Sequence, residues 1–426
     1  MGPWLLLLVS LAGAGLTYNA YRPLYAPSRR AVVSFFAGWL TTELALHHVA
    51  GQLLVTVVFI RMGALRAWPG ELGLLISIAS WLALTRLYWR GRKVAPVVER
   101  ALRTGLGEDY EAKILPEVRA RFAQGIDWKS VILPFPINHA EVERIRDIQF
   151  VRVGGLNLKL DVYRHRSRPR NCPTLLEVHG GGWILGSKNE QGLPLMYHLA
   201  ARGWVCVSAD YRLSPHATFP DHLVDLKRAV KWIREHGAEY GADPDFVVVT
   251  GGSAGGHLAA LVALTANDPA YQSGFEAVDT SMRACVPFYG VYDFTDRNGL
   301  WHHPGLRDLL ETRVMKASLE EAPEAYERAS PIAHVSPGAP PHFVVHGDHD
   351  TMVPVAEARH FCEVFRRTAR APIVYVEVPG AQHAFDLFPS LRSAFVLHGV
   401  ERFLGYVYSQ YLLTQRAAAG RAAAAG

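Results

Sequence analysis

Charged residues are scarce in this chain. Only 19% of its 426 residues are Asp, Glu, Lys or Arg, and half are hydrophobic. A soluble enzyme usually carries about a quarter charged residues. Cysteine is also sparse: Cys172, Cys206, Cys285 and Cys362 are far apart, with no CxxC pair and no zinc-type spacing. That gives no sign of a disulfide scaffold or of a zinc site built on cysteine. Cys206 and Cys285 lie inside apolar runs and read as reduced core residues. The net charge of +5 is unevenly spread. Residues 1–146 hold 17 basic and 10 acidic residues, against 27 and 29 in 147–426. The basic excess flanks apolar segments, so it speaks for membrane topology and against a nucleic-acid surface. The first turn has no Lys or Arg and no clear cleavage site follows, which disfavours a secretory signal peptide.

The missing charge is missing from the N-terminus. Trp4–Leu16, residues 32–60 and Leu72–Trp89 are three apolar stretches. About 20 residues cross the hydrocarbon core, so residues 1–95 read as a membrane region of about three spans. Glu43, His47, His48 and Gln52 interrupt the middle stretch. Glu43 and His47 are four apart and would share a helix face, satisfying each other within a polar seam. His47 and His48 point to different faces, which argues against haem or metal ligation. Arg22, Arg29 and Arg30 follow the first stretch; Arg90, Arg92 and Lys93 follow the third. With three spans both clusters share a side, and the positive-inside rule predicts that the domain after them lies in the cytoplasm. Residues 96–146, broken at Pro134-Phe135-Pro136, read as a connector and possible cap. Residues 411–426, ending in an alanine-rich repeat, read as a disordered tail.

From about Asp147 the pattern changes. Ile148–Val153 and Leu156–Tyr163 alternate around Gly154-Gly155, a hairpin signal. Thr174–Val178, Val205–Ala209, Phe246–Thr250, Ala284–Tyr289, His342–Val345 and Ile373–Val378 follow as short apolar runs. Continuous runs suit strands buried on both faces of a parallel sheet. Helical stretches at Asp221–His236, Ala254–Ala266, Pro354–Thr368 and Ser390–Tyr408 separate them. Residues 147–410 are therefore predicted to form a mostly parallel α/β sandwich of about eight strands with helices on both faces. Functional groups in such sheets lie at the carboxyl ends of the strands. Residues 293–333 interrupt the rhythm and read as either a lid or a surface insertion.

The motifs fall at those ends. Gly251-Gly252-Ser253-Ala254-Gly255-Gly256 contains G-x-S-x-G between a strand and a helix. The turn is so sharp that only small residues fit two before and two after the serine, which is left exposed. His179-Gly180-Gly181-Gly182-Trp183 ends another strand, and no G-K-[ST] follows to suggest a phosphate cradle. Its glycines let the backbone turn N–H groups inward. Gly181, Gly182 and Ala254 are the candidate oxyanion donors, each worth roughly 3 kcal/mol of barrier. His179 reads as a brace for the loop. Asp350 and His383 follow later strands, so serine, acid and histidine occur in the chain order of α/β-hydrolases. Asp348 is a rival acid; Asp350 lies deeper in its loop. His349, His360 and His398 fall on turns or helices and read as surface or core.

These blocks resemble the hormone-sensitive-lipase-like branch of α/β-hydrolases over residues 147–408, and the full chain is similar to membrane-associated Lip-type esterases. The resemblance rests on HGGGW at 179–183, Asp210-Tyr211-Arg212-Leu213-Ser214-Pro215, Phe219–Trp232 and GGSAGG at 251–256. It implies that Ser253 is the nucleophile, His383 the base and Asp350 the acid, with Asp210 and Asp225 bracing strand and helix. It implies hydrolysis of carboxylic esters, acyl or lipid, without a cofactor or metal. The segment after the acid, Asp350-Thr351-Met352-Val353-Pro354, departs from the family's usual form and resembles thioesterases and formamidases. An amidase, formamidase or thioesterase therefore stays open, as does an inactive binding protein on the same fold. The oligomeric state is not legible.

Overall fold

The computed structural model describes residues 1–425. Among these, eight strands form one sheet: β1 (Val142–Val153), β2 (Leu156–His165), β3 (Cys172–Val178), β4 (Val205–Ala209), β5 (Ala242–Gly252), β6 (Ala284–Phe288), β7 (His342–Gly347) and β8 (Ile373–Val378). Their order is β1-β2-β4-β3-β5-β6-β7-β8. β1 pairs antiparallel with β2, and β2 with β4; the remaining pairs are parallel. The β1–β2 turn puts positive φ on Gly154 and Gly155 together, which a two-residue hairpin loop of this hand demands. β3, β6 and the Phe246–Gly252 stretch of β5 are fully buried, as their unbroken apolar runs require. The registers align the ends that matter. Val178 pairs with Gly251, Gly252 with Phe288, and Gly347 with Val378. The loops after β3, β5, β6, β7 and β8 therefore leave one edge of the sheet.

The N-terminal third contributes α1 (Gly2–Tyr21), α2 (Ser28–Glu43), α3 (Ala45–Arg61), α4 (Trp68–Arg90) and α5 (Val94–Leu106). α1 and α4 run parallel. The Trp4 and Trp68 rings meet at 5.5 Å at one end, and Arg90 lies over the Tyr21 ring at 5.2 Å at the other. Hydroxyl pairs Ser10–Ser77 (2.8 Å) and Thr17–Ser80 (2.7 Å) join them between. Two parallel neighbours require a return, which α3 makes. By length and composition two helices can cross a membrane, or three where α2 and α3 count as one bent span.

The middle apolar stretch is not one straight helix. It bends by 92° between α2 and α3, at Leu44. The Glu43 carboxylate accepts from Ser390 Oγ at 2.7 Å and lies 3.6 Å from Arg392, which draws the end of α2 onto the catalytic domain. The expected Glu43–His47 pair is therefore not formed; His47 Nε2 instead meets the Ile132 carbonyl at 2.9 Å.

Two further expectations are corrected. The first half of the supposed connector is core, because α5 carries Val94, Val98 and Leu102 at helical spacing, all fully buried. Each such side chain contributes roughly 1.5–3 kcal/mol by burial. The fit is close: a Cβ on Gly105 would sit 2.7 Å from the Ile373 carbonyl of β8. The C-terminal segment expected to be disordered is helical over its described residues, and Gly426 lies outside them. The last helix runs from Leu391 to Ala425, and Tyr411 within it donates to Asp243 at 3.1 Å. The repeat that suggested low complexity is mostly alanine, the residue of highest helix propensity.

Candidate active site

We number the remaining helices used here α6 (Asp221–His236), α7 (Ala254–Leu264), α8 (Val355–Thr368) and α9 (Leu391–Ala425). Ser253 sits between β5 and α7 with φ 59° and ψ −123°. A positive φ on a non-glycine residue is strained, and the neighbours explain why it persists. A Cβ on Gly251 would lie 2.5 Å from the Val178 carbonyl, and one on Gly255 would lie 2.0 Å from it. β5 and α7 thus press against β3 with no room for side chains, and the chain turns in one residue. The Ser253 N–H donates to the Phe288 carbonyl at 3.0 Å, fixing the elbow to β6. Ser253 stands at the N-terminus of α7, the positive end of its dipole.

The glycine loop is held from three sides. Gly180 N–H donates to Gln191 Oε1 at 2.7 Å, and Tyr211 Oη to the His179 carbonyl at 2.9 Å. Trp183, 2% exposed, donates its indole N–H to His257 Nδ1 at 3.2 Å. His179 stacks on Tyr211 at 4.3 Å, and burial pushes its pKa down, so it braces as a neutral ring. Gly181 has φ 114° and a Cβ there would lie 2.1 Å from the Leu185 carbonyl. Among the described residues, the N–H groups of Gly181, Gly182 and Ala254 find no acceptor. A Cβ on Gly180 would be 3.2 Å from Ser253 Cβ, so loop and serine adjoin. Leu309, from the 293–333 insertion, packs near Gly182; the insertion thus reaches over this loop.

On the far side of the serine, the loops after β7 and β8 meet. His383 Nδ1 and Asp350 Oδ2 are 2.6 Å apart, and both residues are buried. Asp350 Oδ1 accepts from the N–H groups of Met352 and Val353, each at 2.8 Å. Burial would raise the Asp350 pKa, but the His383 charge and hydrogen bonds from His346 and His383 outweigh it. They hold the carboxyl well below the usual carboxylate range. Asp348 faces elsewhere: its Oδ1 accepts from Gly380 N–H at 2.6 Å. His349 does not reach the acid, and His360 and His398 lie on α8 and α9.

Two contributors escaped the sequence reading. His346 Nε2 lies 3.1 Å from Asp350 Oδ2 and 3.0 Å from the Val353 carbonyl. Gln382 Oε1 accepts from Thr351 N–H (2.8 Å) and His383 N–H (2.9 Å), tying the acid loop to the base loop. Their only sequence signal is nearness in the chain: His346 is four residues before Asp350, and Gln382 directly precedes His383. The Tyr289 ring lies 4.6 Å from the His383 ring, and its hydroxyl donates to Asp386. Tyr289 also bounds the serine elbow, since a Cβ on Gly252 would fall 2.7 Å from its hydroxyl. Ser253 and His383 thus flank one tyrosine, and no hydrogen bond joins their side chains. Catalytic hydrogen bonds are often long without substrate.

Strand order, elbow and loop placement define an α/β-hydrolase. A family model described as BD-FAE matches residues 160–365. The probable carboxylic ester hydrolase LipM of Mycobacterium tuberculosis is 42% identical over 411 residues, spanning 95% of this chain and 93% of LipM. Esterase LipQ of the same organism is 37% identical, spanning 89% of this chain and 85% of LipQ. A butyrate-bound thermophilic esterase, Est2 of Thermogutta terrifontis, is 28% identical with a TM-score of 0.53, covering 64% of this chain and 95% of that one. The chain belongs to the hormone-sensitive-lipase-like, Lip-type esterases, and is a carboxylic ester hydrolase. The likeness to LipM is long enough to extend into the N-terminal helices.

Proposed function

We propose that Ser253, His383 and Asp350 act as a catalytic triad on acyl or lipid esters at a membrane. The observation that carries this reading is the 2.6 Å His383–Asp350 contact, formed beside a strained serine elbow. His383 takes the Ser253 proton as Oγ attacks the ester carbonyl. The Gly181, Gly182 and Ala254 N–H groups receive the oxyanion. His383 then protonates the leaving alcohol, and an acyl-serine remains. Water, deprotonated by the same imidazole, releases the acid. Asp350 keeps the imidazole in the productive tautomer and stabilises its charged form.

The membrane reading is supported by three apolar helices with alternating direction, α1, α3 and α4. α3, with 17 residues, is at the short end of the spanning range. Arg22, Arg29, Arg30, Arg90, Arg92 and Lys93 then share the catalytic side, which supports a cytoplasmic catalytic domain under the positive-inside rule.

A fluorophosphonate probe tests the triad. Labelling should fall on Ser253, and Ser253→Ala should lower kcat by about a millionfold. Near-normal esterase activity in that variant would refute the assignment.

A further inference from the structure

α2 was expected to lie in a bilayer, yet it lies across the catalytic loops. Thr351, next to Asp350, donates its hydroxyl to the Ala31 carbonyl at 3.0 Å. Trp39 donates its indole N–H to the carbonyl of Ala384, next to His383, at 2.8 Å. Ala384 has φ 59°, so this carbonyl is aimed by an otherwise unfavourable backbone. The Phe35 ring meets the His383 ring edge-on at 5.9 Å. Trp39 is stacked between Phe35 (5.6 Å) and Phe388 (5.0 Å), and Phe135 closes the cluster against Phe388. Phe35 and Trp39 are only half-buried, so their rings present free apolar surface beside His383. The opposite face of α2 exposes Val33, Phe36 and Leu40.

The position of this wall relative to the reacting groups gives it a meaning. The leaving oxygen must come within about 2.6–3.2 Å of the imidazole that protonates it. The carbonyl oxygen must point the other way, toward Gly181 and Gly182. An aromatic surface against His383 therefore meets the alcohol half of the ester, and the glycine loop with Leu309 bounds the other. We propose that Phe35 and Trp39 line the alcohol side of the site, so that the enzyme selects esters of hydrophobic alcohols. Phe35 is the specificity residue. Trp39 is a positioning residue that holds the His383 loop. The inference rests on the triad reading above.

The test uses the full-length protein in detergent micelles and two substrate series. One varies the alcohol, from ethyl to octyl acetate; the other varies the acyl group on p-nitrophenol. For the native protein, kcat/KM should rise along the alcohol series. Phe35→Ala should cut kcat/KM for octyl acetate by about tenfold, the scale of a lost apolar contact. It should leave the acyl ranking as in the native protein. Phe35→Leu, a milder change, should move the alcohol ranking the same way. Trp39→Phe keeps a stacked ring but removes the N–H. It should lower kcat for both series alike, by up to ~10²-fold, with KM unchanged. An unaltered alcohol ranking in both Phe35 variants, or an acyl ranking that changes as much as the alcohol ranking, overturns the proposal; so does an unchanged kcat in Trp39→Phe. If Ser253→Ala is inactive in the same assays, such a failure belongs to the alcohol wall alone. If Ser253→Ala is active, the triad reading has failed instead.

Discussion

The hydroxyl of Thr351 reaches the backbone carbonyl of Ala31 at 3.0 Å, across 320 positions of sequence, and both residues are buried. This one bond joins the acid loop to an N-terminal helix. Thr351→Val keeps the shape and removes the donor. The Ala31 carbonyl is then left buried without this partner, a cost of about 1–3 kcal/mol. Thermal denaturation of the full-length protein should show the loss as a lower Tm. Esterase activity should fall with it, since the same hydroxyl also lies 3.4 Å from Gln382 Oε1, the group that accepts from the His383 N–H. A Tm equal to that of the native protein would show that α2 does not depend on this contact.

Asp348 and Asp350 are two positions apart and offer a direct comparison. Asp350→Asn retains an acceptor but places an amide against His383 Nδ1, which favours the wrong tautomer; kcat should fall about ten-thousandfold. Asp348→Asn still offers an oxygen to Gly380 N–H, so its effect on kcat should stay within about tenfold, the scale of one weakened hydrogen bond. Steady-state kinetics on a p-nitrophenyl ester separates the two. A larger loss from Asp348→Asn would reverse the assignment of the acid.

The loops of the candidate site were legible because each is local. Ser253, Asp350, His383 and the glycines follow short apolar runs directly, and the sheet register then carries them to one edge without further information. The role of α2 was not legible. Ala31, Phe35 and Trp39 are ordinary residues of an apolar helix, and their partners lie over 300 positions away. The bend at Leu44 has no Pro or Gly to announce it. Its cause is the tertiary hold on Glu43 by Ser390 and Arg392. The polar interruption at Glu43 was a true signal, but it marked a contact with the catalytic domain and not a seam between spans. The same holds for α5, whose amphipathic pattern suits a cap or a core helix equally until its partner strand is known.

Glu177 in β3 gives the last expectation. It is fully buried, and Ser208 Oγ donates to it at 2.5 Å. Burial, against that hydrogen bond and together with Asp386 and Asp210, pushes its pKa up to about 8. A carboxyl whose folded pKa exceeds its unfolded value of about 4.3 binds more protons folded than unfolded between the two. Its contribution to stability is therefore complete below about pH 4 and is lost as pH rises toward 8. Glu177→Gln keeps the acceptor for Ser208 and cannot ionise. At pH 5 the variant and the native protein should melt within a few degrees of each other. At pH 8.5 the native protein should have lost stability that the variant keeps, so the variant should melt higher. Melting curves at the two pH values decide it. A native-minus-variant Tm difference that does not change with pH would mean that Glu177 is not the buried acid that titrates.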